Sequence, residues 1–404
     1  MRSNLGRSAR NIGGSGMGNS GQVVQRQGFF RNFLNSIIGV FIGILFIFGS
    51  CFLLFWNEVR PNPADAARMA TELTPANSSA LQNQAVWVRG ALTGTQVGLD
   101  QFLSADLNKE FIALERVIER WVWVEEEHRT ERDRLGGGTE TIITYEYNLK
   151  WSTSTPNSSQ FRGQNAPENP AEKPGFTRFS RVANDLTIAG FNLGSNITLR
   201  GAYTQFIPTA TTIAAGLVFN EGYIYEYDRA ITAPAVGDYR ISYWYIENNT
   251  DGIALGRLNG QQIEQLDFRS TGLIKTSSTI YRFFNAPTIN QVISILDSEN
   301  RTLTLILRIV GYAIMLVGFT MLFGPIQAIA RIIPLIKMIT GKITFLIAII
   351  FSLVLSLVVI VVANILNSLI ALLFVLALVG ALIGFGVYRG KKKKETAANS
   401  VPIT

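Results

Sequence analysis

Cysteine and histidine are almost absent from this sequence. Its 404 residues include one cysteine, Cys51, and one histidine, His128. A disulfide needs two cysteines, and a zinc site needs several cysteine, histidine or carboxylate ligands. A disulfide within the chain is therefore excluded, and we predict neither a metal nor any other cofactor. Cys51 is interpreted as a small apolar packing residue, and His128 as a solvated residue near a hairpin tip.

Charge is also scarce. Charged residues make up 16% of the chain, whereas about 25% is usual for a soluble domain. The charge is missing mainly from four apolar runs, which are residues 33–56, 303–323, 343–363 and 368–388. About 20 apolar residues in a helix can cross the hydrocarbon core of a bilayer. The first run begins too late and is too long for a signal peptide, so we predict four transmembrane helices.

Acidic residues are nearly missing from the segments that fall on one side of this layout. Residues 1–32 carry five arginines and no acid, and residues 389–404 carry five basic residues and one acid. By the positive-inside rule, that side is cytoplasmic. We predict a disordered basic arm over residues 1–32 and a basic cytoplasmic tail over residues 389–404. The pI near 9.5 then reflects membrane topology, and we predict no nucleic-acid partner.

The connection between the second and third runs is apolar but does not look like a span. Residues 326–341 have a narrow polar stripe and a proline, Pro334, at the centre. We predict an interfacial or re-entrant helix on the cytoplasmic leaflet. Three basic side chains, Arg331, Lys337 and Lys342, are predicted to contact lipid phosphates. Membrane lipids are therefore the first predicted partner.

Residues 57–302 form a large extramembrane segment with a period of two in its side chains. TIITYEYNLKW alternates apolar and polar residues, as a half-buried strand does. Three glycines separate it from a second extended stretch, ERWVWVEEE, which predicts a long β-hairpin. Near the end of the segment, Thr288 is predicted to cap an amphipathic helix. The predicted fold class is a multi-pass α-helical membrane protein with four spans and a large, β-rich, mainly antiparallel α+β domain between spans one and two.

Seven short motifs occur in the order and spacing of a known family. They are LLFWNEVR, LERVIERWVWVEE, TYEYNLKW, ENP, GDYRISYWY, LRIVGYAIMLVGF and IIPLIKMITG. Together with the four-span layout, they make residues 31–388 resemble the LUMA family, also called the transmembrane protein 43 family. The resemblance implies one large lumenal or periplasmic domain. Its animal members occur in the endoplasmic reticulum and inner nuclear membrane, where they associate with one another and with lamina-linked proteins.

The resemblance also implies a set of motif positions. At the exit of the first span these are Trp56, Asn57, Glu58 and Arg60. In the domain they are Trp123, Glu125, Tyr145, Tyr147, Trp151, Asn169, Pro170, Gly237, Asp238 and Arg240, and further on they are Arg308 and Pro334. Animal members tend to carry a histidine shortly before the Asn-Pro pair. Residues 164–168 contain none here, so no role of that histidine applies to this chain.

Arg308 is a charge inside an apolar run, six residues from its start. It can extend to the interface, pair with an acid such as Glu58 as a structural lock, or take part in transport. We favour the lock, and transport is disfavoured because no other run carries a formal charge. Two pairs of glycines spaced by four are predicted to pack helices closely, either within one chain or between two copies. They are Gly39 with Gly43 and Gly380 with Gly384.

No phosphate-binding glycine loop or nucleophile elbow occurs in the sequence, and we predict that the protein is not an enzyme. Residues 125–127, three glutamates, lack the loop pattern of a calcium site and are interpreted as charge that keeps a strand edge soluble. The predicted function is a membrane-embedded scaffold that forms a homo-oligomer and recruits other membrane or membrane-associated proteins. Its compartment would be the endoplasmic reticulum and nuclear envelope in a eukaryote, or the plasma membrane in a bacterium. The alternative is a lipid-binding or lipid-metabolising protein that acts through the external domain.

Overall fold

The computed structural model describes residues 21–133, 138–194, 196–330, 334–368, 371–373 and 377. The helices, in chain order, are α1 (Phe29–Val59), α2 (Pro63–Met69), α3 (Arg229–Thr232), α4 (Ile289–Leu322), α5 (Gly324–Ala330) and α6 (Pro334–Asn367). The strands are β1 (Gly21–Gln27), β2 (Thr71–Glu72), β3 (Ala85–Thr93), β4 (Phe111–Asp133), β5 (Thr139–Ser152), β6 (Phe179–Val182), β7 (Thr187–Ile188), β8 (Phe191–Leu193), β9 (Thr204–Gln205), β10 (Val218–Asn220), β11 (Tyr223–Tyr225), β12 (Tyr239–Glu247), β13 (Thr250–Asn259), β14 (Gln262–Glu264), β15 (Leu266–Arg269), β16 (Ser277–Ile280) and β17 (Arg282–Phe284).

Within the described residues, three helices are long and apolar enough to cross a membrane. They are α1, α4 and α6, and they contain the first three predicted spans. Many of their apolar side chains are exposed, as Phe52 is at 72%, which suits helices surrounded by hydrocarbon. The fourth predicted span, residues 368–388, lies largely outside the described residues, as does the tail.

The helix α4 corrects a predicted boundary. The amphipathic helix expected after Thr288 and the span expected at 303–323 form one uninterrupted helix of 34 residues, about 51 Å long at 1.5 Å per residue. The predicted cap is confirmed, because the side chain of Thr288 accepts a hydrogen bond from the N–H of Gln291. Val292 and Leu296 are buried in an apolar cluster with α2, β13 and β17. One end of α4 is therefore part of the core of the domain.

The segment between the second and third predicted spans is described only in part, so the interfacial or re-entrant helix over residues 326–341 stays a prediction. Its described residues belong to α5, described up to Ala330, and to α6, described from Pro334 onwards, and residues 331–333 between them lie outside the described part. Pro334 is the first described residue of α6, and proline is tolerated in the first turn of a helix. Lys342 is exposed on α6. Arg331 and the side chain of Lys337 lie outside the described part of the chain.

Two main sheets build the β-rich domain. The first has the order β1-β5-β4-β12-β11-β10, with β6 also on β4 and β9 also on β12. The second has the order β17-β13-β14-β8-β7-β3-β2, and β13 pairs in addition with β3, which closes a ring of five strands. Most pairings are antiparallel, whereas β14 with β8 and β2 with β3 are parallel. The largest buried cluster includes residues of β3, β4, β8, β13 and β17, so the core lies between the two sheets.

The predicted hairpin is present as β4 and β5, and it is longer than the sequence suggested. The 23 residues of β4 extend about 76 Å at 3.3 Å per residue. The first residues of β5, next to the hairpin turn, pair with β1. Residues 21–27 of the predicted disordered arm are therefore a strand instead. Thr139 Oγ1 lies 3.4 Å from Asn32 Oδ1, which brings the far end of the hairpin to the N-terminal end of α1. The rest of the domain lies at the other end of that helix.

Candidate functional site at the membrane exit

The first span ends at the WNEVR motif, where apolar side chains give way to polar ones. The helix α1 stops at Val59, and the N–H of Arg60 donates to the carbonyl of Trp56 at 3.0 Å. Pro61 follows and cannot continue the hydrogen-bonding pattern. Trp56 is 44% exposed, as is common for an aromatic side chain at a membrane interface. Asn57 is buried at 2%, so the motif faces the lipid on one side and protein on the other.

Glu58 and Arg308 form a two-pronged ion pair between α1 and α4. The Nε and Nη2 atoms of Arg308 donate to the two carboxylate oxygens of Glu58, each at 2.8 Å. Asn364 on α6 donates to the same carboxylate at 3.0 Å. The side chain of Glu58 is 4% exposed and that of Arg308 is 42% exposed. The carboxylate thus joins all three spanning helices, and this geometry matches the predicted lock.

A second set of contacts at the same level ties α1 to α4. Arg60 Nη2 donates to the carbonyl of Asn300 at 3.1 Å and to Thr304 Oγ1 at 3.0 Å. Asn57 Nδ2 donates to the carbonyl of Thr304 at 3.1 Å. Arg60 Nε is 3.3 Å from Asn57 Oδ1. The polar residues at the exit of α1 therefore bind the backbone and side chains of the facing helix.

The β-rich domain is hydrogen-bonded to the ends of the helices that carry these polar residues. Thr276 Oγ1 donates to the carbonyl of Val59 at the end of α1, at 2.7 Å. At the end of α6, the carbonyl of Asn367 accepts from the N–H of Leu273 at 3.0 Å, and its side-chain oxygen accepts from Ile274 at 3.3 Å. The loop between β15 and β16 is thus hydrogen-bonded to the ends of two spanning helices.

The Asn-Pro motif joins a loop to the hairpin. Asn169 acts as an extra strand residue: it accepts from the N–H of Trp123 at 2.8 Å and donates to the carbonyl of Trp123 at 3.0 Å and of Pro156 at 3.1 Å. Gly237 has a φ of +94°, a conformation that favours glycine. A Cβ on Gly237 would also lie 2.8 Å from Cγ of Pro170. Both motifs are therefore explained by close backbone packing.

Glu125 anchors the next part of this loop. Its carboxylate accepts from the hydroxyl of Tyr147 at 2.8 Å and from the N–H groups of Arg162 at 2.5 Å and Gly163 at 3.2 Å. Burial, followed by the hydrogen bond to Glu125, raises the pKa of Tyr147 to about 12. Tyr145 is buried at 4% on the same strand. Glu125 thus has a packing role beyond keeping a strand edge soluble.

The remaining motif positions lie at the base of the hairpin, where β4, β5 and β12 meet; this region is called the hairpin joint below. Asp238 accepts two hydrogen bonds from the guanidinium of Arg229, at 2.5 and 2.8 Å. Arg240 donates to Glu119 on β4 at 2.8 Å, and its guanidinium lies 4.8 Å from the ring centre of Trp151. Such a cation over an indole ring is attractive. These family positions hold β4, β5 and β12 together.

Sequence reasoning missed a buried charged network in the first sheet. Arg116 donates to both oxygens of Asp100 at 3.0 and 2.8 Å, with side-chain exposures of 5% and 6%. Tyr243 donates its hydroxyl to the same carboxylate, and burial followed by that hydrogen bond raises its pKa well above the ordinary range. A signal was present, because Arg116 shares the inward face of β4 with Ile118 and Val122. An arginine in such an alternation indicates a buried partner.

The glycine pairs have different environments. A Cβ on Gly43 would lie 2.7 Å from the carbonyl oxygen of Gly318, so this glycine packs α1 against α4 within one chain. A Cβ on Gly39 would meet nothing within 4 Å among the described residues. Gly380 and Gly384 lie outside them. The glycine pairs were predicted to pack helices either within one chain or between two copies, and Gly43 packs helices within one chain.

The single histidine and cysteine lie away from these clusters. His128 Nε2 is 3.5 Å from Glu146, and both side chains are more than half exposed on the hairpin. Cys51 is half-buried in α1. In the part of the chain that the structure describes, no group of three or more His, Cys, Asp or Glu side chains is arranged to hold a metal ion.

Comparison with known proteins gives the family. A family profile described as Transmembrane protein 43 matches residues 121–368. The proteins named Transmembrane protein 43 from Mus musculus and Homo sapiens are each 24% identical over 237 residues, which is 57% of this chain. The protein of that name from Rattus norvegicus is 24% identical over 239 residues. The chain spans 58% of the length of these curated relatives, and no solved structure matches it. Because the profile covers more than half of the chain, including the hairpin joint and Arg308, the resemblance is confirmed and the chain belongs to the transmembrane protein 43 family.

Proposed function

We propose that this protein is a membrane-embedded scaffold, which self-associates and holds a β-rich domain at a fixed position on the bilayer for partner proteins. The observation that carries this proposal is the continuity of α4. It begins among the buried side chains of the domain, at Val292 and Leu296, and runs without interruption to Leu322. A domain on a flexible linker would have no such connection.

The polar layer at the membrane exit supports the same function. The three helices are joined by Glu58, Arg308 and Asn364. The loop between β15 and β16 is hydrogen-bonded to Val59 and Asn367. Charge-assisted hydrogen bonds in a partly buried layer are shorter and stronger than neutral ones. They restrict the tilt of the domain relative to the helices, and a scaffold needs that restriction to present one surface reproducibly.

The partners and the compartment extend this proposal. We expect other copies of the chain and other membrane or membrane-associated proteins as partners, with both termini in the cytoplasm. In a eukaryotic host the expected sites are the endoplasmic reticulum and inner nuclear membrane, and in a bacterium the plasma membrane. Because Gly43 is already packed against α4, contacts between copies must use another surface.

Native mass spectrometry of the full-length protein, gently extracted from its own membrane, tests the scaffold. A defined oligomer that retains other proteins in fixed ratio is the expected result. Two differently tagged copies should purify together when they are co-expressed, but not when their separate extracts are mixed after solubilisation. A monomer without protein partners in this experiment would overturn the proposal.

A further inference from the structure

A polar cavity lies where the three spanning helices meet the domain. It has a volume of about 270 Å³, is open on one side, and is lined by the end of α1, the middle of α4, the loop after β15 and the end of α6. Its lining is almost entirely polar and includes Arg60, Thr271, Asn300 and two carboxylates, Glu58 and Asp65. Pockets for whole small-molecule ligands are usually about 300–1,000 Å³ and mostly apolar. This one is of the size and chemistry for a small polar group.

Two groups at this cavity have hydrogen-bonding capacity that the protein leaves unused. Arg60 is held by its Nε and Nη2 atoms, whereas its Nη1 makes no hydrogen bond to any described residue. Asn300 Oδ1 is buried and has no partner in the described chain. Buried polar atoms are nearly always hydrogen-bonded, so each unmet group indicates a missing partner. A guanidinium edge suits phosphate or carboxylate oxygens, and an amide oxygen needs a donor.

The charge around the cavity favours an anion. Each nearby carboxylate already has cationic donors: Glu58 is paired with Arg308, and Asp65 and Asp297 are both paired with Arg68. No described carboxylate forms an ion pair with Arg60 or with Lys275. The ammonium of Lys275 donates to the carbonyl of Ser270, next to Thr271 on the cavity rim. The charge of Glu58 also acts on Arg60, but that carboxylate forms its salt bridge with Arg308, so the Nη1 edge of Arg60 stays available to an external anion.

The depth of the cavity points to the source of that anion. Arg60 follows directly after the end of α1, within one turn of the half-exposed Trp56. Aromatic residues at this position lie at the level of the lipid headgroups. We propose that the cavity binds the phosphate of a phospholipid headgroup through Arg60, while Asn300 accepts a hydrogen bond from a hydroxyl or ammonium group of the same headgroup. This site goes beyond the scaffold function and is independent of whether copies associate.

Lipid retention by the full-length protein tests the site. The protein is reconstituted in vesicles of phosphatidylcholine with added phosphatidylglycerol or phosphatidylethanolamine, extracted, and weighed by native mass spectrometry. We expect one retained phosphatidylglycerol or phosphatidylethanolamine per chain. Arg60→Gln should lower this retention about tenfold or more, as loss of a charge-assisted hydrogen bond does. Arg301→Gln is the matched control, because it removes the same charge one residue from Asn300 and does not line the cavity.

Further variants separate binding from folding. Arg60→Lys keeps the charge and should restore part of the retention. Thr271→Trp fills the cavity from its exposed rim and should abolish retention, even if Arg60→Gln does not fold. Equal retention in the folded Arg60→Gln and Arg301→Gln proteins would overturn the site, as would unchanged retention in Thr271→Trp. Inorganic phosphate and glycerol 3-phosphate provide the soluble arm: protection against thermal unfolding that depends on Arg60, without lipid retention, would assign the same chemistry to a soluble phosphate and overturn the lipid source.

Discussion

Glu58 and Arg308 form one ion pair, but losing Arg308 should destabilise the protein more than losing the charge of Glu58. Glu58 is almost fully buried at 4%, whereas Arg308 is 42% exposed. Removing Arg308 leaves a buried negative charge with two amide donors, Asn364 at 3.0 Å and Asn57 at 3.5 Å. Removing the charge of Glu58 leaves a cation that can extend its side chain to the headgroup region. The two single substitutions should therefore differ in cost, although they break the same pair.

The free-energy cost of each substitution follows from how deeply the two side chains are buried. Removing one partner of a buried ion pair costs about 3–5 kcal/mol, because the other charge is left uncompensated. Since Arg308 is partly exposed, we expect Arg308→Leu to lie at the lower end, about 3 kcal/mol. Glu58→Gln should cost about 1 kcal/mol, the usual value of a lost hydrogen bond. In the double variant Glu58→Gln/Arg308→Leu no charge is left buried, so its cost should fall below that of Arg308→Leu alone.

The assay is reversible unfolding of the full-length protein in mixed micelles, followed by tryptophan fluorescence as the fraction of denaturing detergent is raised. Arg301→Gln serves as the control for loss of a cation on the same helix. The reasoning is refuted if Glu58→Gln destabilises the protein as much as Arg308→Leu does. It is also refuted if the cost of the double variant equals the sum of the two single costs, since the residues would then act independently.

Two further predictions use the same protein. Gly43→Ala should destabilise it by about 1–3 kcal/mol through overpacking, whereas Gly39→Ala, which meets nothing within 4 Å, should be neutral or slightly stabilising; the reverse order in the unfolding assay would contradict the packing. The raised pKa of Tyr147, about 12, means that its stabilisation is fully present below its ordinary value near 10 and is lost as pH rises through 12. Melting temperatures should therefore fall in that window, and fall less in Tyr147→Phe than in wild type.

The sequence predicts the parts of this fold that depend on neighbouring residues. Hydropathy located the helices α1, α4 and α6, and alternation located the hairpin of β4 and β5, because both patterns repeat over a few residues. The pairing of β13 with β3 joins residues more than 150 positions apart, and no local pattern encodes it. The partner of Arg308 was suggested from its depth in the membrane. The partner of Arg116 was not, because Asp100 lies in a segment without regular structure.

The errors at helix boundaries have a single cause. Hydropathy ends a span where charge begins, so residues 297–301, with Asp297, Glu299 and Arg301, separated an amphipathic helix from a span in the prediction. A helix is held by backbone hydrogen bonds, and acidic and basic residues support it nearly as well as leucine does. The charges instead mark where α4 leaves the bilayer, and there they bind: Asp297 accepts from Asn62 and Arg68. The place where the predicted amphipathic helix met the predicted span is thus the joint between the domain and the apolar helices. Apart from the Glu58–Arg308 pair, its polar contacts and cavity could be found only from the fold.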